Sequence, residues 1–274
     1  VRTIRRKFLI AVAGLLALLL AAAAALSLPE LLDRDGALVL RSKQPYTARS
    51  YYAFVSPWGA EGNPVLGLWG RTADSIRIQP AAFPNKTRFK WRWPPFPPRS
   101  NVGVWGYNHI GYGFYDGGEP EVPVPPRRVN DIKALRQSTA WSGNFALGDS
   151  TVLTEFYLRS NPRDSEAKLI EIGWLLHMAP ETSAFVRGGR QLGIYADPAG
   201  RRWRAALNQK YLTFSPADDR DVTTVDIDML HALRWLQAKK LVKGDEWLTG
   251  LAIGVEPIKG IGSVELTRWT VDFR

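Results

Sequence analysis

The chain has 274 residues, a formal net charge of +10, 45% hydrophobic residues, three histidines and no cysteine. That length can build a core that stands without disulfides, and His109, His177 and His231 lack metal-ligand spacing, so neither a disulfide framework nor a zinc site is expected. No block of Lys and Arg interleaved with aromatics resembles a nucleic-acid motif, so no nucleic-acid partner is expected either.

In chain order, the first element is apolar. Arg5, Arg6 and Lys7 precede residues 8–26, a run dominated by Leu and Ala. Residues 1–28 therefore read as an export signal or a membrane anchor, with small residues at 23–27 suited to signal peptidase. Thr3-Ile4-Arg5-Arg6-Lys7-Phe8-Leu9 also resembles a twin-arginine signal. Val1 in place of Met suggests an alternative start codon and a bacterial gene. The expected location is outside the cytoplasm: periplasmic, secreted, or held at the membrane through residues 8–26 if the leader is kept. Arg2, Arg5, Arg6 and Lys7 take part of the positive charge, and the remaining excess is spread along the chain, where it favours anionic envelope polymers or headgroups.

Residues 29–45 read as a tether, with Asp33-Arg34-Asp35-Gly36 marking a turn. From 46 to 274 the pattern is that of one β-rich domain. Strand-like alternation recurs at 51–55, 75–79, 87–93, 151–158, 168–176, 191–195, 203–207, 211–214, 248–255 and 263–273, punctuated by Gly, Pro, Asn and Asp. The Pro-rich stretch 119–128 predicts an extended loop. One helix is predicted, over 226–242, with Asp226 and Asp228 near its start and Ile227, Leu230, Leu233 and Leu236 at three-residue spacing. Many strands and one late helix predict an all-β, two-sheet jelly-roll sandwich with one packed helix, behind the apolar leader. A monomer is expected.

Two segments concentrate the chemistry. In 168–176, Glu171 shares its strand face with Leu169, Gly173 and Leu175, while Ile170, Ile172, Trp174 and Leu176 make the other face. A strand apolar on both sides lies inside a layered sheet, where a carboxylate is costly unless it is paired, hydrogen-bonded or lining a cavity. In 250–256, Glu256 shares its face with Gly250, Ala252 and Gly254, leaving a trough about as wide as a sugar ring, while Leu251, Ile253 and Val255 face the core. The plainer reading of each Glu is an edge-strand acid paired with Lys or Arg. The sharper one is a pair of acids facing each other across a cleft, as glycosidic bond cleavage requires.

These residues resemble glycoside hydrolase family 12, the small retaining endo-β-1,4-glucanases and xyloglucanases. That family's nucleophile strand runs aromatic-Glu-Leu-Met-Ile-Trp-Leu; this chain has Ile-Glu171-Ile-Gly173-Trp174-Leu-Leu. The family's acid/base motif, Gly-x-Glu-Pro, stands here as Gly254-Val255-Glu256-Pro257. More weakly, Gly67-Leu68-Trp69-Gly70 is similar to its Asn-x-Trp-Gly sugar platform, and Thr154-Glu155-Phe156-Tyr157 to its Tyr-Asp pair. Departures are Gly67 for Asn, Gly173 for Met and Glu155 for Asp. The resemblance implies a jelly roll, a β-glucan substrate cut within the chain, Glu171 as nucleophile, Glu256 as acid/base and Glu155 beside the nucleophile. It implies no cofactor and no metal. Trp69, Trp58, Trp105 and Tyr107 are the candidate sugar-binding aromatics, because sugar rings stack on aromatic planes, although most of the 11 Trp are expected in the core. The alternative is a jelly roll that binds polysaccharide without turning it over.

Gly-x-Ser-x-Gly, phosphate-loop and dinucleotide signatures are absent, and Asp218, Asp219 and Asp221 read as a solvated turn rather than a calcium site.

Overall fold

In the computed structural model, which describes residues 7, 10–18, 21, 36–99, 103–120 and 122–274, the described strands join one pairing network. They are β1 (Leu38–Leu40), β2 (Pro45–Ala48), β3 (Tyr51–Phe54), β4 (Asp74–Ile78), β5 (Thr87–Arg92), β6 (Asn108–Gly113), β7 (Arg127–Arg128), β8 (Leu135–Arg159), β9 (Lys168–His177), β10 (Arg190–Ala196), β11 (Arg202–Asn208), β12 (Tyr211–Pro216), β13 (Thr224–Asp228), β14 (Trp247–Leu248) and β15 (Gly250–Phe273).

Two long strands organise the rest. β8 and β15 span 25 and 24 residues and pair antiparallel along nearly their whole lengths. The early part of β8 and the late part of β15 carry β13 on one side and β5, β4 and β1 on the other. The late part of β8 and the early part of β15 carry β9, β12, β11 and β10 on one side and β6, β3 and β2 on the other. Register shifts on β15 between Pro257 and Lys259 and between Ile261 and Ser263 mark the bend, since an extra residue sharpens local twist. Gly260 lies there with φ +68°, and a Cβ on it would collide with the Leu147 carbonyl. Only glycine fits both the conformation and the approach.

Core side chains lie between the two halves. Ile76, Phe89, Trp91 and Trp269 from one half share a buried cluster with Ile172, Trp174, Phe214 and Val255 from the other. This is the expected sandwich, with the two sheets continuous through β8 and β15 rather than separate. Seven of the 11 Trp are buried, so the tryptophan enrichment serves mainly the core.

Helices depart further from expectation. The stretch 226–242 is strand first: Val225 and Ile227 alternate inward as β13 pairs with β8, and a helix, Met229–Ala238, follows with Asp228 capping the amide of His231 (3.0 Å). Helix α1 (Pro64–Ala73) was not expected. Its start is written in Asn63-Pro64, where the Asn63 side chain accepts from the amides of Val65 and Leu66 and Pro64 occupies the first turn. Helix α2 (Pro180–Gly188) also begins with a proline, and α3 is the Met229–Ala238 helix. Residues 38–45, expected in a tether, enter the sheet through β1 and the start of β2.

The chain divides between Ala37 and Leu38 into two units. Of the first, residues 10–18 are helical, while much of the expected leader and the whole of residues 29–35 lie outside the described residues. Among the described residues no helix is long and apolar enough to cross a membrane.

Candidate active site

Alternation on three neighbouring strands sends three carboxylates to one face. On β8, Val152, Phe156 and Leu158 point into the main core, leaving Thr151, Leu153, Glu155 and Tyr157 on the opposite face. On β9, Ile172, Trp174 and Leu176 are core, which puts Glu171 with Gly173 and Leu175. On β15, Leu251, Ile253 and Val255 are core, which puts Glu256 with Ala252 and Gly254. Both face assignments made from the sequence agree with the packing. Across the strands, Glu155 stands opposite Gly173 on one side and Ala252 on the other; Glu171 is opposite Tyr157, and Glu256 opposite Thr151. β12 runs parallel to β9 and sets Tyr211 beside Glu171.

Four tyrosines surround the acids. Tyr115 donates to Glu155 Oε1, and Tyr211 donates to Glu155 Oε2 at 3.0 Å. Tyr157 is the cross-strand partner of Glu171, and Glu155 lies on the same face beside them. Burial pushes Glu171 well above the usual carboxylate range, and the charge of Glu155 adds to it. Burial also raises Glu155, but Tyr115, Tyr211 and the shared contact with Glu171 pull it back. Of the two, Glu171 is pushed further up by burial, while Tyr115 and Tyr211 hold Glu155 lower. Glu256 is pushed well above its ordinary value by desolvation, then by the charge of Glu155, and its own charge is felt by Glu171. Tyr107 lies against the same group: burial, then the charges of Glu155, Glu256 and Glu171, raise its hydroxyl.

The residues that hold this constellation come from further away. Tyr115 follows β6 in a loop whose Tyr115 and Asp116 carbonyls accept from the fully buried Arg159 guanidinium. Lys168 pairs with Asp116 and stands 4.5 Å from the Tyr157 ring centre. Gly173 is the socket for Tyr211, because a Cβ there would lie 2.6 Å from the Tyr211 hydroxyl oxygen.

A cavity of about 190 Å³ beside Glu256 is walled by Pro98, Val104, Leu175, Phe185 and Tyr211. Another of about 630 Å³ beside Glu171 is walled by Tyr157, Lys168, Phe185, Lys210 and Tyr211. Among the described residues no cluster of His, Asp and Glu has the arrangement of a metal site.

No protein-family model matches the sequence, and no curated protein matches it significantly in sequence. Solved structures do match in shape. Endoglucanase cel12A from Rhodothermus marinus superposes with a TM-score of 0.67 at 17% identity, covering 86% of this chain and 100% of its own. A family 12 xyloglucanase from Bacillus licheniformis, in complex with ligand, gives 0.66 at 15% identity over 87% of this chain and 99% of its own. Trichoderma harzianum endoglucanase 3, from family GH12, gives 0.65 at 16% identity over 88% and 100%. The fold is that of glycoside hydrolase family 12.

On this family 12 fold the sequence-derived candidates separate into two groups. Glu155, Glu171, Glu256 and Tyr107 come together. Trp58 is half-buried against Val104, Ala179 and Ile258, next to the Glu256 cavity. Trp105 is 1% exposed and stacked on Trp93 at 4.5 Å, so it has no open face for a sugar. Trp69 has an exposed ring, but it projects from α1, its Nε1 donates to the Arg92 carbonyl at 2.7 Å, and it lines neither cavity. Gly67 likewise sits in α1. Tyr115, Tyr157, Tyr211 and Phe185 were missed. For Tyr157 a signal existed, two residues from Glu155 on one strand face; the others are brought in by strand pairing and by a loop that no local pattern marks.

Proposed function

We propose that the chain is a retaining glycoside hydrolase acting on β-1,4-linked glucan, with Glu171 as nucleophile, Glu256 as acid/base and Glu155 as the partner that takes up the nucleophile's proton. The observation that carries this reading is the convergence of three carboxylates, one of them held by two tyrosine hydroxyls, on one face of a family 12 fold. Desolvation keeps Glu256 protonated, so it has a proton to give to the departing glycosidic oxygen. As that bond breaks, Glu171 bonds to the anomeric carbon, its proton moving onto Glu155. Glu256, now ionised, removes a proton from the water that attacks the glycosyl-enzyme; Glu171 leaves, and the configuration is retained. Tyr157 and Tyr107 supply hydroxyls next to the reacting groups. The basic, apolar leader supports action outside the cytoplasm, where such polymers are met.

The test is release of reducing ends from soluble β-glucans by the full chain beside Glu171→Gln and Glu256→Gln. Each substitution is expected to lower turnover by about 10²–10⁴-fold, the usual weight of a positioned acid or base. Absence of turnover on every glucan, with binding unchanged in both variants, overturns the catalytic reading and leaves a polysaccharide-binding jelly roll.

A further inference from the structure

Helix α1 is apolar on both sides. Its inner side, Leu66, Gly70 and Ala73, packs on the core, and a Cβ added at Gly70 would lie 3.3 Å from the Trp93 ring. Its outer side is Val65, Leu68 and Trp69, neighbours on a helix surface and 76%, 67% and 54% exposed. A helix apolar all round is normally buried. The polar atoms of the exposed side have partners within the protein: Trp69 Nε1 donates to the Arg92 carbonyl at 2.7 Å, and Thr72 Oγ1 donates to the Trp69 carbonyl at 3.3 Å. What faces outward is aliphatic and aromatic carbon.

Positive charge accompanies this face. The excess beyond the leader, expected along the whole chain, is confined to residues 29–99, which carry 11 Lys and Arg against five Asp and Glu; residues 100–274 carry 21 of each sign. Of the two acids of this stretch that the structure describes, Asp74 is fully buried and Glu61 pairs with Lys43 at 3.0 Å. At the end of α1, Arg41 and Arg92 donate to the Thr72 carbonyl at 3.4 and 3.2 Å, and Arg71 lies exposed in the last turn. On β5, Arg88, Lys90 and Arg92 take the face opposite the buried Phe89 and Trp91, and Arg77 of β4 stands across from Arg88. The domain also begins here, since β1 pairs with β4 and Arg41 follows β1. A leader kept in a membrane would therefore join the domain beside the exposed face of α1.

We infer that α1 is a membrane-docking element: Val65, Leu68 and Trp69 enter the headgroup layer of an anionic bilayer, and Arg41, Arg71 and Arg92 meet its phosphates. Apolar area and attraction to anionic lipid together set the strength of such binding, and Trp is favoured at the headgroup level. An anionic polymer alone would engage the arginines and leave the three apolar side chains in water. A second copy of the chain would bring like charges together. None of Val65, Leu68 and Trp69 lines the cavities at Glu171 and Glu256, so the docking face and the candidate active site are different surfaces.

Because the chain has no cysteine, a single introduced cysteine carries a polarity-sensitive nitrobenzoxadiazole label to one chosen place. The full chain is incorporated into vesicles of phosphatidylcholine alone, or of equal parts phosphatidylcholine and phosphatidylglycerol. It is labelled at Leu68→Cys, at Val65→Cys, or, as the remote control, at Ala199→Cys on the turn between β10 and β11. On the mixed vesicles the labels at 68 and 65 are expected to shift to the blue and to be quenched by a nitroxide lipid, with the label at 199 unaffected. Arg71→Gln added to Leu68→Cys should lower the ratio of docked to undocked domain about fivefold, equivalent to about 1 kcal/mol for one cation at an anionic surface, and raised ionic strength should act in the same direction. An equal response at 65, 68 and 199, or none at 65 and 68, overturns the inference. So does a response of the same size on phosphatidylcholine alone that Arg71→Gln leaves unmoved. A response at 68 that needs only soluble β-glucan, or only a higher protein concentration, gives the face to a sugar or to a second copy and overturns it too. The assay involves no turnover, so its result stands apart from the hydrolase reading.

Discussion

Tyr211→Phe isolates the device that holds the carboxyl pair. The ring stays in the socket left by Gly173, and only the hydroxyl that donates to Glu155 at 3.0 Å is removed. Hydrogen bonds to a charged acceptor contribute about 1.5–3 kcal/mol, and one pKa unit corresponds to about 1.36 kcal/mol, so the lost donor is equivalent to roughly one to two units. Tyr115 still donates to Glu155 and takes up part of the loss, which puts the expectation near the lower figure, about one unit. The sign follows from the direction of each interaction. Donation from Tyr211 lowers Glu155, so its removal raises the pH at which the Glu155–Glu171 pair gives up the first of its two protons. The acid limb of kcat/KM should therefore move upward by about one unit, and Tyr115→Phe should move it the same way. The assay is the pH profile of kcat/KM at constant ionic strength. A uniform drop at every pH, with the limb in place, would mean that Tyr211 only packs, and the proton assignment to Glu171 would fall with it.

Gly173→Met, which restores the residue of the resembled family, should not restore its site: its side chain needs the space held by Tyr211, so the variant should show the same upward shift of the acid limb together with a loss of about 1–3 kcal/mol in denaturant unfolding. An unchanged profile would show that Tyr211 swings aside at no cost to Glu155. Asp74 offers a test far from the site. It is fully buried, burial pushes its carboxyl up to about 7, and the Trp93 indole that donates to it at 2.8 Å offsets this only in part. A folded value raised above the unfolded one gives stability that is complete below the unfolded pKa near 4 and lost as the pH rises through 7. The separation of about three units amounts to about 4 kcal/mol, so Asp74→Asn should gain on wild type by that order between pH 4 and 8 in urea unfolding. A difference between the two proteins that stays constant across that range would refute the burial argument.

Alternation alone told which faces of 168–176 and 250–256 carry Glu171 and Glu256, because a strand has only two faces and Ile172, Trp174, Ile253 and Val255 had to take one of them. It also yielded most strand positions and the two-layer class. Helix α1 was legible in principle from Asn63-Pro64, but glycines at 67 and 70 obscured its apolar pattern. The 226–242 segment misled because Val225 and Ile227 alternate for only one turn's length before the helical spacing begins, and pairing with β8 decides between them. What no local pattern contains is the relation between segments. Gly173 looked like a defect in a family motif until the parallel pairing of β12 with β9 brought Tyr211 over it. Glu155, one methylene longer than the resembled Asp, is met by hydroxyls from a loop after β6 and from β12. Side-chain direction along one strand is set by local backbone geometry, and so it is written in the sequence. Which tyrosine meets which carboxylate depends on register between strands many residues apart, and on burial, which no segment has before the sheet closes around it; those are properties of the tertiary structure alone.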